Sequence, residues 1–164
     1  MAYLLDTNIF IDAKNRYYHP KVCPGFWDWL VQSNTRHDVY SIDRVYDELT
    51  EDSEDEVSEW ARQNSEGFFL SVDEDVLPAL QSIAAWTNAH TRYSDAAKAD
   101  FLDSADYYLV AQALAGGHTV VTHERPAPSV QRVKIPDACI AQKVKCVNPW
   151  EMLRKEHARF VLEA

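Results

Sequence analysis

The chain of 164 residues is long enough to bury one full core without disulfides, and its 46% hydrophobic and 12% aromatic content excludes a disordered polymer. It has no apolar run of about 18 residues, which excludes a membrane-spanning helix on sequence grounds. The balance of 26 acids against 16 bases, a net −10, disfavours indiscriminate nucleic-acid binding; yet residues 43–106 carry −13 of it, while residues 107–164 are at +3.

Tyr3-Leu4-Leu5 reads as a short buried strand, broken by Asp6-Thr7-Asn8, after which Ile9-Phe10-Ile11 begins a helix. Residues 25–33 predict a helix, His37 to Ile42 a second strand, and Val45, Tyr46 and Leu49 the apolar side of the next helix. Ser53 and Glu56 form a capping-box pattern ahead of a polar helix over 54–64. Phe68 to Val72 suits a strand, and residues 74–90 a helix with Pro78 in its first turn. Residues 104–115 predict a helix closed by Gly116-Gly117, followed by a strand from Thr119 to Thr122. Short strands are expected at Val133-Lys134-Ile135 and Lys145-Cys146-Val147, and Asn148-Pro149 opens a last helix. Such alternation with short links predicts one α/β domain over 1–164 around a mostly parallel sheet, with the acidic middle as an added helical layer. Cys23, Cys139 and Cys146 form no CxxC pair and read as reduced thiols. The opening MAYLLDTNIF lacks the basic lead of a signal peptide, so a cytoplasmic protein is expected.

In open α/β sheets, ligands bind beyond the carboxyl ends of the strands. Asp6 follows the first strand, Glu124 lies two residues past the strand ending at Thr122, and Asp106 sits in the first turn of the helix before that strand. Glu48 lies on the helix after the second strand, with Asp43, Asp47 and Glu51 as rivals for the same role. Four carboxylates together repel one another unless one or two hard divalent cations join them. Each acid also has a plainer reading. Asp6 could cap its helix, Asp106 could answer the helix dipole, Glu48 could be solvated, and Glu124 could pair with Arg125 on the surface.

The segments Leu4-Leu5-Asp6-Thr7-Asn8, Asp106 with the small and apolar residues to Ala113, and Val120-Val121-Thr122-His123-Glu124 together resemble the motifs of PIN-domain nucleases. With Lys134-Ile135-Pro136-Asp137-Ala138-Cys139, the chain is similar to a PIN-like family of small bacterial and archaeal proteins of unassigned function. The resemblance implies a three-layer α/β/α fold with about four or five central strands. It also implies an Mg²⁺- or Mn²⁺-dependent endoribonuclease of the toxin–antitoxin kind, with RNA as substrate, an antitoxin as partner and dimers common. Carried over by position, Asp6, Glu48, Asp106 and Glu124 would be the acidic cluster, with Asp6 and Asp106 sharing an ion. Thr7 and Asn8 would hydrogen-bond the acids. The Val45-Tyr46-Asp47-Glu48-Leu49 context favours Glu48 over its rivals. Glu124 departs from the Asp usual in the superfamily.

Asp103 is either a fifth acid of the site or a helix N-cap; Asp137 caps a helix or lines the site; Thr122 holds a carboxylate or merely ends its strand. Lys14, Arg16, Tyr17, Tyr18, His19 and Lys21 form one basic–aromatic stretch that could grip RNA, or a solvated loop with tyrosines tucked inward. Arg125, Arg132, Lys134, Lys143 and Lys145 form a second basic patch. His123 reads as a surface residue, and Trp27, Trp29, Trp60 and Trp86 as core or interface. The absence of GxxxxGK[ST] disfavours an NTPase. Two other readings stay open: a catalytically silent PIN-like binding module, and a DNA nuclease or phosphatase on the same acids.

Overall fold

The computed structural model describes residues 1–163. Five strands, β1 (Tyr3–Leu5), β2 (Val39–Ile42), β3 (Phe69–Leu70), β4 (Thr119–Val121) and β5 (Cys146–Val147), pair in parallel throughout, in the order β3-β2-β1-β4-β5. Tyr3 registers with Val39 on one side and Thr119 on the other, so β1 is central. Every residue of β1 and β4 is buried, as a parallel sheet covered on both faces requires.

The helices are α1 (Thr7–Asp12), which runs on into a π-helical turn over Ala13–Tyr17, then α2 (Pro24–Thr35), α3 (Asp43–Thr50) and α4 (Glu56–Gln63). A 3₁₀ turn, Glu74–Val76, leads into α5 (Leu77–Ala89), followed by α6 (Asp95–Leu102), α7 (Ala105–Gly116), α8 (Ile135–Gln142) and α9 (Pro149–Lys155). The α7 helix buries Tyr107, Leu109, Val110, Ala111, Gln112 and Ala113, nearly its whole girth. A helix that apolar on all sides must be sandwiched. It packs on β2 and β4 beneath and on α5, with α6 beside it, above; these two are the extra helical layer expected from the sequence. Gly117 ends α7 in the left-handed region at φ 67°, where a side chain would be strained. Among the described residues, no helix is long and apolar enough to cross a membrane.

Three sequence expectations are corrected. Val133-Lys134-Ile135 is no strand: Lys134 is the extended residue before α8, and Ile135 and Pro136 are its first turn, where Pro is pre-organised. The cap of α4 is Asp55 and not Ser53; its carboxylate accepts from the Ser58 amide at 2.9 Å. Asp103 caps nothing ahead of α7. It is the exposed residue that ends α6, and Ser104 precedes α7. Helix α6 itself lacks a strong apolar stripe, with only Ala97 and Phe101 buried, and it is fixed by the Ser94 hydroxyl, which accepts from the Ala97 amide at 3.1 Å.

Candidate active site

The strand order reverses at β1: β2 and β3 extend the sheet to one side, β4 and β5 to the other. The carboxyl ends of β1 and β4 therefore border the topological switch point, where open α/β sheets bind ligands. Asp6 stands there, its amide tied to the Val121 carbonyl at 3.0 Å. It occupies the N-cap position of α1 yet makes no capping hydrogen bond. Instead its Oδ2 accepts from the Thr122 hydroxyl at 3.0 Å. Thr122 Oγ1 in turn accepts from the Glu124 amide at 3.1 Å, so one buried threonine links the strand end, the first acid and the loop carrying the fourth.

Asp6 is 3% exposed. Burial pushes its carboxyl up to about 8; repulsion from Asp106 and Glu124 adds to this, and the Thr122 hydrogen bond opposes it. Asp106 enters from the first turn of α7, which precedes β4 and so begins at the same end of the sheet. Its carboxyl rises to about 6, first from burial and then from Glu124 and Glu48, against the pull of Arg132. The structure thus brings Asp6, Asp106 and Glu124 within electrostatic reach of one another, and Glu48 within reach of Asp106.

They are not equivalent. Glu48 Oε2 accepts from the Thr7 hydroxyl at 2.5 Å, which ties α3 to α1. Arg44, one turn earlier, lies 3.9 Å over the Tyr108 ring and fixes α3 against α7, the helix that carries Asp106. Both Glu124 oxygens are engaged: Oε1 by the Arg132 guanidinium and Oε2 by the Ile135 amide at 2.9 Å. Glu124 thus satisfies the N-terminus of α8 from outside the helix. The expected surface pair with Arg125 does not form; its partner is Arg132, seven residues further on and recognisable in the sequence only as one more base of the second patch. Among the described residues, no three His, Cys, Asp or Glu side chains stand ready-arranged around a metal position.

The supporting residues divide. Thr7 and Thr122 hydrogen-bond the acids as expected, but Asn8 is exposed on α1 and bonds none of them. Exposed Asp103, at the end of α6, has no side-chain hydrogen bond or ion pair to the acids among the described residues, while half-buried Asp137, in the first turn of α8, faces the Ala127 amide at 3.5 Å. Lys14 is no free grip for a phosphate: its ammonium is 2.8 Å from Asp55, with only a fifth of the side chain exposed. Tyr18 is tucked inward and stacks on Phe26 at 4.7 Å. Arg16 and Arg125 both line a groove beside Glu124, whereas Lys134 stays just ahead of α8. Trp150, in the first turn of α9 after Pro149, lines that groove too, and no sequence pattern singles it out.

The donor set suits a hard cation. Asp6 and Asp106 offer oxygen ligands only and, among the described residues, neither forms an ion pair; Arg132 offsets only part of the repulsion at Asp106, whose carboxyl stays raised.

Residues 3–160 match the model of a family described as a domain of unknown function, DUF4411. Among curated proteins none matches significantly. Among solved structures, a chain from "Structure of FitAB bound to IR36 DNA fragment" superposes with a TM-score of 0.53 at 22% identity, covering 90% of this chain and 95% of that one. That likeness, with the all-parallel five-stranded sheet, bears out the PIN-like α/β fold expected from the sequence. By the match over nearly its whole length, the chain belongs to the DUF4411 family.

Proposed function

We propose that the protein is a divalent-cation-dependent endoribonuclease. The observation that carries this reading is the pair of acids, buried Asp6 and half-buried Asp106, set at the β1/β4 switch point with both carboxyls raised and neither in an ion pair among the described residues. A buried carboxylate pair is costly to keep charged, and a site that keeps it has use for a cation. Asp6 and Asp106 are the residues to hold Mg²⁺ or Mn²⁺, with Glu48 beside them; bound there, the ion supplies an activated water and neutralises charge on a phosphodiester. The protein's own groups do the rest. Thr122 aims Asp6, Thr7 aims Glu48, and Arg132 holds Glu124 against the start of α8. Arg16 and Arg125 meet the phosphates that flank the reacting one.

A role as the toxin of a toxin–antitoxin pair is part of the proposal, supported by the PIN resemblance of the motifs. The acidic stretch 43–106 offers a surface to a basic partner protein. FitAB was solved on a DNA fragment, so DNA is the polymer to test beside RNA. The decisive experiment is cleavage of total RNA and single-stranded DNA by purified protein, with Mn²⁺ or Mg²⁺ against EDTA, and with Asp106→Asn. Metal-dependent RNA fragments that fall by about 100-fold or more in the variant are expected. Equal fragments from variant and wild type would refute the site. A folded protein that binds Mn²⁺ and cuts nothing would turn the reading to a silent binding module.

A further inference from the structure

Beside Glu124 lies an open groove of about 600 Å³, a volume suited to one nucleotide. Three aromatic rings from three separate segments meet on its wall: Tyr17 from the π-helical turn, His123 from the loop after β4, and Trp150 from α9. Tyr17 lies 5.8 Å from His123 in a stacked arrangement and 5.1 Å from Trp150 edge-on, and His123 is 5.3 Å from Trp150. Rings packed this way ordinarily close over one another, but Tyr17 remains 45% exposed. The π-helical turn helps explain this. An extra residue per turn shifts the helical phase, and Tyr18 turns into the core while Tyr17 faces out.

We propose that this groove is a stacking subsite for one unpaired base of an RNA strand, adjacent to the nuclease centre. The proposal rests on the nuclease reading and adds the form of the substrate: single-stranded at that position. The groove's rim carries both charges a nucleotide needs. Arg16 and Arg125 suit its phosphates, while the carboxylates of Asp12, 3.7 Å from His123 Nε2, and of Glu151, which accepts from Asn148 Nδ2 at 2.7 Å, have further lone pairs for the amino and imino groups of a base edge. A bare anion site would have no use for those acids, and a hydrophobic peptide no use for four charged groups. A paired base has both faces covered by its neighbours, so only a splayed-out base can enter. His123 adjoins Glu124 in the chain, which puts the subsite within a nucleotide of the acidic cluster.

The test is binding of a short fluorescein-labelled single-stranded RNA to the full chain, followed by anisotropy in EDTA so that no cleavage intervenes. Trp150→Ala and Tyr17→Ala should each weaken binding about tenfold, the loss typical of one stacked base. Trp150→Phe should restore most of it, and the same sequence as a duplex should bind the wild type more weakly. No binding of the single strand by wild type, equal binding of the duplex, or unchanged binding in both folded alanine variants would overturn the subsite. If Trp150→Ala fails to fold, Tyr17→Ala, at an exposed position, decides alone. Cleavage with manganese ions separates this proposal from the one it rests on. Ring-dependent binding without cleavage sinks the nuclease and leaves the subsite; cleavage with ring-independent binding does the reverse.

Discussion

Asp6 carries the largest electrostatic strain at the site, and the sign of its effect on stability follows from its displaced pKa. An ordinary aspartate releases its proton near 3.8; in the folded protein Asp6 does so near 8. The folded state therefore holds a proton that the unfolded chain gives up. Its contribution to stability is whole below about pH 4 and is lost as pH rises through 8. Asp106, raised to about 6, acts in the same direction over a narrower window. In EDTA the melting temperature should fall between pH 5 and pH 8. Asp6→Asn should flatten that slope and stabilise the protein at pH 8 by on the order of 2 kcal/mol. Manganese ions should raise the wild-type melting temperature at pH 8 and leave the variant's unmoved. A variant less stable than wild type at pH 8 in EDTA would show that Asp6 is a structural cap after all. Thr122 supplies a second test at this scale, because it touches Asp6 without being a carboxylate. Thr122→Val should weaken Mn²⁺ binding about tenfold, read as heat in a titration, while the fold persists.

Helix α4 shows how much one side chain does for an element. The Asp55 carboxylate accepts from the Ser58 amide and hydroxyl, both at 2.9 Å, and from Lys14 at 2.8 Å. Burial alone would raise its pKa; Lys14 and Ser58 outweigh it and hold the carboxyl down at about 2. The stability it contributes is present above about pH 4 and is lost as pH falls toward 2, the opposite sign to Asp6. Asp55→Ala should cost about 1 kcal/mol at pH 7, and the difference from wild type should vanish in acid, as denaturant melts at the two pH values will show. Elements with a strong local signal were legible in the sequence: β1 as an apolar run, α7 from its small and apolar residues and its Gly-Gly stop, and α9 from Asn148, whose side chain accepts from the Glu151 amide as a cap should. Elements decided by distant partners were not. Ser53, Glu54, Asp55 and Glu56 present four adjacent candidates near one helix start, and only Lys14, 41 residues earlier, selects Asp55. Val133-Lys134-Ile135 has strand-like side chains, but Pro136 and the Glu124 carboxylate make it a helix entry. Among the candidate acids, Asp6 and Glu124 were legible because they follow strands, and Asp106 because it opens α7. What Glu124 grips was not, because its partners come from a loop and a helix start with no pattern of their own.

At the scale of the whole molecule, charge and topology agree on the direction of approach. The acidic stretch 43–106 builds α3, α4, β3, α5, α6 and the start of α7, whereas the mildly basic residues 107–164 build the rest of α7, β4, α8, β5 and α9. The switch point, between β1 from the charge-neutral residues 1–42 and β4 of the basic stretch, is a seam between the acidic β3 flank and the basic β5 flank. On the proposed nuclease reading, a polyanion would be repelled from the β3 flank and would approach the β5 flank, where Arg16 and Arg125 line the groove. On that reading a protein at −10 overall would hold a nucleic acid only weakly and through few phosphates. The salt dependence measures how few. Each phosphate neutralised on a single strand contributes about 0.7 to the slope of log affinity against log salt. With two arginines in play the slope for single-stranded RNA should be about −1 to −2, and Arg125→Ala should reduce it by about 0.7. A slope several times steeper would mean that the strand lies along the basic patch of Lys143 and Lys145 instead of entering at the seam. An Arg125→Ala slope equal to wild type would remove that residue from the path of the strand.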